Sequence, residues 1–145
     1  MKLNTLMGWF CAILVAGLSL SILANHAAAK VRHASTDTAY AVHITNVPPS
    51  GAGENSAGTI SGTAAGPNVD NLKVVVYAIT DQSYVQPWAD APYTNISGKK
   101  WSTGTHLGWH YAALLVRPSY KPPSITDGVP SVGGDILAVS KADPK

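Results

Sequence analysis

Eight carboxylates lie along the chain: Asp37, Glu54, Asp70, Asp81, Asp90, Asp127, Asp135 and Asp143. Hydrolysis by paired carboxylates needs two of them held about 5 to 10 Å apart with separated pKa values. Most of these eight sit in turn-forming stretches, where Asp bonds its own backbone. His106 and His110 are four apart. On a helix that spacing would put two imidazoles on one face for a metal. On a strand it separates them by about 13 Å, too far to share an ion. His33 and His43 have no useful spacing. Asp127-Gly128 and Gly133-Gly134-Asp135 offer oxygens that calcium accepts, but two acids do not define a site. Ser61 and Ser83 lack the Gly-x-Ser-x-Gly elbow of a nucleophilic serine. Gly98-Lys99-Lys100 is no phosphate loop, because Tyr93 stands where that loop needs its first glycine. No catalytic residue, metal site or cofactor is therefore assigned. Asn95-Ile96-Ser97 fits the pattern of an N-glycosylation acceptor.

Aromatic side chains are the richer candidates. Beyond the first thirty residues stand Trp88, Trp101, Trp109 and six tyrosines. Flat aromatic faces stack on sugar rings and serve as rigid interface anchors. Tyr77, Trp101 and Tyr111 fall in strong strand patterns and are expected in the core. Tyr111 also suits a tyrosine that ties a sandwich corner through its hydroxyl. Trp88, Tyr93 and Tyr120 lie in proline-containing loops, where burial is less required. Tyr84 and Trp109 fit either role. The candidate ligand-binding surface is Tyr84, Trp88, Tyr93 and Tyr120. The competing reading is that these rings pin loops to the body of the domain.

Composition narrows the function classes. Only 12% of the 145 residues are charged, about half the usual share. All acids and every basic residue except Lys2 lie beyond position 29, giving that part a charge near balance. The basic residues are scattered, with Lys99-Lys100 the one adjacent pair. No nucleic-acid partner is expected, since such a binder clusters Lys and Arg. The first 29 residues read as a signal peptide. Lys2 is followed by an uncharged apolar run from Leu6 to Ala24, and Ala27-Ala28-Ala29 supplies a small-x-small cleavage site. The expected location is secreted, periplasmic or cell-surface. The alternative is an uncleaved anchor, since the run is long enough to span a bilayer; only then is a membrane a partner. Cys11, the one cysteine, lies in this segment. Beyond it the chain has no disulfide, no thiolate metal site and no cysteine nucleophile.

These side chains need positioning elements, and the pattern beyond residue 40 is β throughout. Residues 30–40 read as a linker. Strands are expected at Tyr40–Val47, Thr59–Ala64, Leu72–Thr80, Tyr84–Gln86, Lys100–Thr103, His110–Arg117 and Asp135–Lys141. Turn chemistry separates them: Pro48-Pro49, Gly66-Pro67-Asn68, Asp81-Gln82-Ser83, Gly98, Pro118 and a Pro- and Gly-rich loop from Tyr120 to Gly134. The unbroken Leu72–Thr80 run predicts a central strand covered on both faces. No stretch carries helix caps with a matching apolar period. About seven short strands at this spacing predict an all-β sandwich over 41–141, followed by a tail at 142–145.

An ordered set of short motifs reinforces that reading. Gly58-Thr-Ile-Ser-Gly62, Lys73-Val-Val-Val-Tyr77, Tyr84-Val-Gln-Pro87, Trp101-Ser-Thr103, Thr105-His-Leu-Gly108, Tyr111-Ala-Ala-Leu-Leu-Val116 and Gly134-Asp-Ile-Leu-Ala-Val139 follow one another. Together they resemble a bacterial immunoglobulin-like module found in secreted multi-domain proteins, often beside carbohydrate-active domains. The chain departs from such modules at Ser97-Gly98-Lys99, where an acidic residue usually precedes the glycine. The resemblance implies an immunoglobulin-like or fibronectin III-like sandwich and a link to polysaccharide. It brings no site residues. The expected function is a non-catalytic extracellular binding module for polysaccharide or cell-surface glycan. A structural or self-associating surface protein is the alternative, and a small hydrolase ranks third.

Overall fold

A computed structural model describes residues 39–52 and 55–144. The expected signal segment and nearly all of the linker lie outside those residues. Nine strands follow one another: β1 (Ala41–Asn46), β2 (Ala57–Ala65), β3 (Lys73–Ile79), β4 (Ser83–Gln86), β5 (Thr94–Asn95), β6 (Lys100–His106), β7 (His110–Val116), β8 (Ile125–Thr126) and β9 (Ile136–Ala142). One 3-10 turn, Val69–Asn71, is the sole helical element among the described residues. The strands form two antiparallel sheets. One has the order β1-β2-β6. The other has the order β8-β4-β3-β7-β9, with β5 paired to the far end of β3.

The central pair β3 and β7 explains why the second sheet needs cover on both sides. Val74, Val76 and Ala78, with Tyr111, Ala113 and Leu115, alternate onto the inner face toward the first sheet. Val75 and Tyr77, with Ala112, Leu114 and Val116, fill the outer face. The register sets Tyr77 opposite Ala112, and Ala78 opposite Tyr111. A ring beside a methyl group on each face lets the two strands pack without a void. The inner core is completed by Val42, Ile60, Ala64, Ile96 and Trp101 from the first sheet and its connections.

The outer face is closed by the segment between β7 and β9. Tyr120 and Val129 from this segment, and Tyr93 from the β4–β5 connection, pack against the outer cluster. The Tyr77 hydroxyl donates to the Pro123 carbonyl at 3.0 Å, the Val85 amide donates to the Ser124 carbonyl at 2.9 Å, and the Tyr93 hydroxyl donates to the Tyr120 carbonyl. The Pro-rich loop of the sequence is thus a strap, and its Ile125–Thr126 pairs with β4.

Most strand ends shift by one or two residues from the sequence pattern, β6 departs furthest, and β5 and β8 are additional strands. β6 runs through Gly104 to His106, where the pattern stopped at Thr103. β2 supplies the reason: its seven residues from Ala57 to Thr63 pair one by one with β6, so Gly104 is held by the ladder on its neighbour. β5 and β8 are two residues long and exist only through their partners.

Candidate functional site

The β3–β4 turn, β4 and the end of β6 meet where the edges of the two sheets approach each other. Along β4, Val85 packs on the outer cluster, so alternation turns Tyr84 and Gln86 to the opposite face. There they line a cavity of about 320 Å³ with Ala78, Thr80, His106, Leu107 and Ala52.

Gln86 is the hinge of this site. It is buried, with 3% exposure. Its Oε1 accepts the His106 backbone N–H at 2.9 Å and lies 3.0 Å from His106 Nδ1. Its Nε2 donates to the Tyr84 carbonyl at 3.2 Å. One amide therefore joins the edge strand of the first sheet to the second sheet through both its oxygen and its nitrogen. The Trp88 ring meets the His106 ring edge to face, centroids 5.0 Å apart at 76°, a geometry favoured by the ring quadrupole. Trp88 sits in a turn closed by the Ala91 N–H on its carbonyl. It remains 60% exposed, although its edge contact fixes it.

Asp81 bonds two of the lining side chains. Its Oδ1 accepts the Thr80 hydroxyl at 2.8 Å and the Tyr84 hydroxyl at 3.2 Å. The Thr80 hydroxyl, then its own backbone N–H and the Tyr84 hydroxyl, hold the Asp81 carboxyl below the ordinary carboxylate range. The Tyr84 phenol is pushed above its ordinary value, by desolvation first and by the Asp81 carboxylate second. The Asp81 carboxylate is thus bonded to two of the side chains that line the cavity, Thr80 and Tyr84.

The four aromatics expected as a binding surface are divided between two places. Tyr84 and Trp88 belong to this site. Tyr93 and Tyr120 are partly buried against the outer cluster and joined by a hydrogen bond. Trp109 is 51% exposed, and its backbone N–H is tied to Ile79. Sequence reasoning passed over Gln86; it weighed His106 with His110 as metal ligands and favoured polar satisfaction of a loop. The available signal was Tyr84 and Gln86 two apart on a strand. The partner across the sheets carries no sequence mark.

Besides Asp81, four acids are engaged locally, while Asp37 and Glu54 lie outside the described residues. Asp70 accepts the Lys99 backbone N–H, Asp127 accepts from Gln82, Asp135 accepts from Ser119, and Asp143 faces His110 Nδ1 at 2.7 Å. His106 and His110 stand on different sheets. Among the described residues no group of three or more His, Cys, Asp or Glu could hold a metal ion. Comparison with protein-family models, curated proteins and solved structures finds no match to this chain.

Proposed function

We propose that this chain is an exported, non-catalytic binding domain that holds a neutral saccharide chain at the cavity lined by Tyr84 and His106, beside Trp88. The carrying observation is the exposed Trp88 indole, held by an edge contact with His106 beside a cavity that Tyr84 lines. An apolar wall with a few fixed polar groups is the ordinary composition of a small-ligand site, and an aromatic face is the usual partner of a sugar ring's C–H surface. The Asp81 carboxylate, bonded to Thr80 and Tyr84, disfavours an anionic polysaccharide. Export rests on the signal-like segment that ends at Ala29.

The finer fold assignment belongs to the same proposal. The orders β1-β2-β6 and β4-β3-β7-β9 correspond to strands A-B-E and C′-C-F-G of an immunoglobulin-like, fibronectin III-like sandwich. On that reading β7 is strand F. Tyr111, its second residue, accepts the Gly108 N–H three residues upstream at 2.8 Å, as the corner tyrosine of such domains does.

Affinity electrophoresis in gels containing soluble β-glucan, xylan or galactomannan tests the function. We expect at least one neutral glycan to retard the protein, and Trp88→Ala to weaken that retardation about tenfold or more with unchanged melting. Equal mobility in every gel sinks the reading.

A further inference from the structure

We infer that His106 is the hydrogen-bond acceptor that selects this ligand, and that Gln86 is the positioning residue that sets its tautomer. The inference rests on the reading of the cavity as a saccharide site, and it names which chemical group that site reads.

The orientation of the Gln86 amide is determined by two bonds other than the imidazole contact. The His106 backbone N–H points at Oε1 and the Tyr84 carbonyl accepts from Nε2. Rotating the amide by half a turn would set N–H against N–H and oxygen against oxygen. An oxygen therefore faces His106 Nδ1 at 3.0 Å, and the contact is attractive only when Nδ1 carries the proton. A neutral imidazole has one N–H, so Nε2 is left with its lone pair. Free histidine side chains in water favour the opposite form, with the proton on Nε2. The Gln86 amide that ties β4 to β6 is buried, and those same two backbone bonds fix the oxygen that sets the His106 tautomer.

Nε2 has no hydrogen-bond partner among the described residues, while His106 lines the cavity. The apolar Leu107 lines it too, and the His106 ring touches that of Trp88; an unpartnered acceptor on such a residue asks for a donor carried on a largely C–H surface. A sugar hydroxyl is such a group. Ethers, carboxylates and sulfates offer only acceptors and would leave Nε2 unpaired on binding, which is where discrimination is strongest. The class of ligand is accordingly a neutral glycan with a free hydroxyl at the recognised position.

Two measurements test this. Long-range proton–nitrogen spectra of the unliganded protein, recorded on the neutral side chain, should show His106 Nδ1 protonated and Nε2 pyridine-like. A protonated Nε2 overturns the inference. Gel retardation by the same β-glucan, xylan and galactomannan should weaken about tenfold in His106→Asn, which keeps a polar group near Nδ1 and deletes Nε2. His106→Gln, with a polar group near Nε2, should stay within a few-fold of the parent. Melting temperatures of both variants control for folding. If His106→Asn binds like the parent while Trp88→Ala does not, the acceptor role is wrong and the saccharide site stands. If no glycan retards the parent protein, the saccharide site falls and the acceptor role falls with it.

Discussion

Tyr111 shows how much one side chain settles. Its ring is fully buried in the inner core. Its hydroxyl accepts the Gly108 N–H at 2.8 Å and donates toward the Pro49 carbonyl at 3.4 Å. It thereby anchors the β6–β7 turn to the segment following β1. Gly108 itself admits no Cβ, which would lie 2.9 Å from the Ile79 nitrogen. In Tyr111→Phe the Gly108 N–H loses its acceptor in a buried place. We expect a loss of about 1–2 kcal/mol, read as a lower urea midpoint with unchanged slope. At this scale the sequence was informative for rings on strong strands: Tyr77, Trp101 and Tyr111 are in the core, as their pattern required. It was silent on the pairing of His106 with Gln86, because that pairing spans two sheets and nothing in local spacing encodes it.

Elements here are set by their neighbours as much as by their own residues. Trp101 on β6 lies across Gly62 on β2, its register partner, and its Nε1 donates to the Thr63 carbonyl at 3.2 Å. A Cβ at Gly62 would lie 1.9 Å from the His43 carbonyl oxygen and 2.6 Å from the Trp101 ring. The backbone oxygen cannot yield without moving β1. Gly62→Ala should therefore cost about 3 kcal/mol, at the upper end for overpacking. Thermal melting followed by near-ultraviolet circular dichroism would report both the loss and the disturbed Trp101. The hairpin turn before β6 has its own device. Gly98 and Lys99 both have positive φ, 55° and 64°, the pair of values a two-residue type I′ turn requires. Lysine is an unusual residue there, and its N–H is held by Asp70 Oδ1 at 3.1 Å. The Pro- and Gly-rich composition of 118–134 identified a loop. That the loop is a strap depends on the outer face of β3 and β7, whose apolar residues must be covered by something.

The whole domain should respond to pH mainly on the alkaline side. Burial raises the phenols of Tyr77, Tyr111 and Tyr120 above their ordinary value, with Tyr120 adding to the effect on Tyr77. The folded state therefore holds protons that the unfolded chain releases near pH about 10. Stability is fully present below that value and falls as pH rises above it toward the folded values. Urea midpoints measured from pH about 9 to about 12 should be flat at first and then decline. Absorbance titration should show these tyrosines ionising together with unfolding, and smooth titration of all six in a still-folded protein would contradict it. On the acid side the lowered Asp81 carboxyl acts in the opposite sense. Its contribution is present above the ordinary carboxylate range and lost as pH falls through its folded value, and its full exposure keeps it small.

By itself the sequence determined the class of molecule. Alternating and continuous β-branched runs, broken by Pro and Gly, leave a sheet structure as the way to bury this surface without helices, and the unbroken run at 72–80 required a strand covered on both sides. Both follow from the period of two and from burial, which are local. Only the tertiary structure decided which aromatic rings were free. Tyr84, Trp88, Tyr93 and Tyr120 share a composition and a setting in the sequence. Trp88 is exposed and Tyr84 lines the cavity, while Tyr93 and Tyr120 pack under the strap. The deciding contacts join residues from 20 to 27 positions apart, as in Gln86 with His106 and Tyr93 with Tyr120. Contacts of that range are created when two sheets and a strap close on one another, and no shorter stretch of chain contains them.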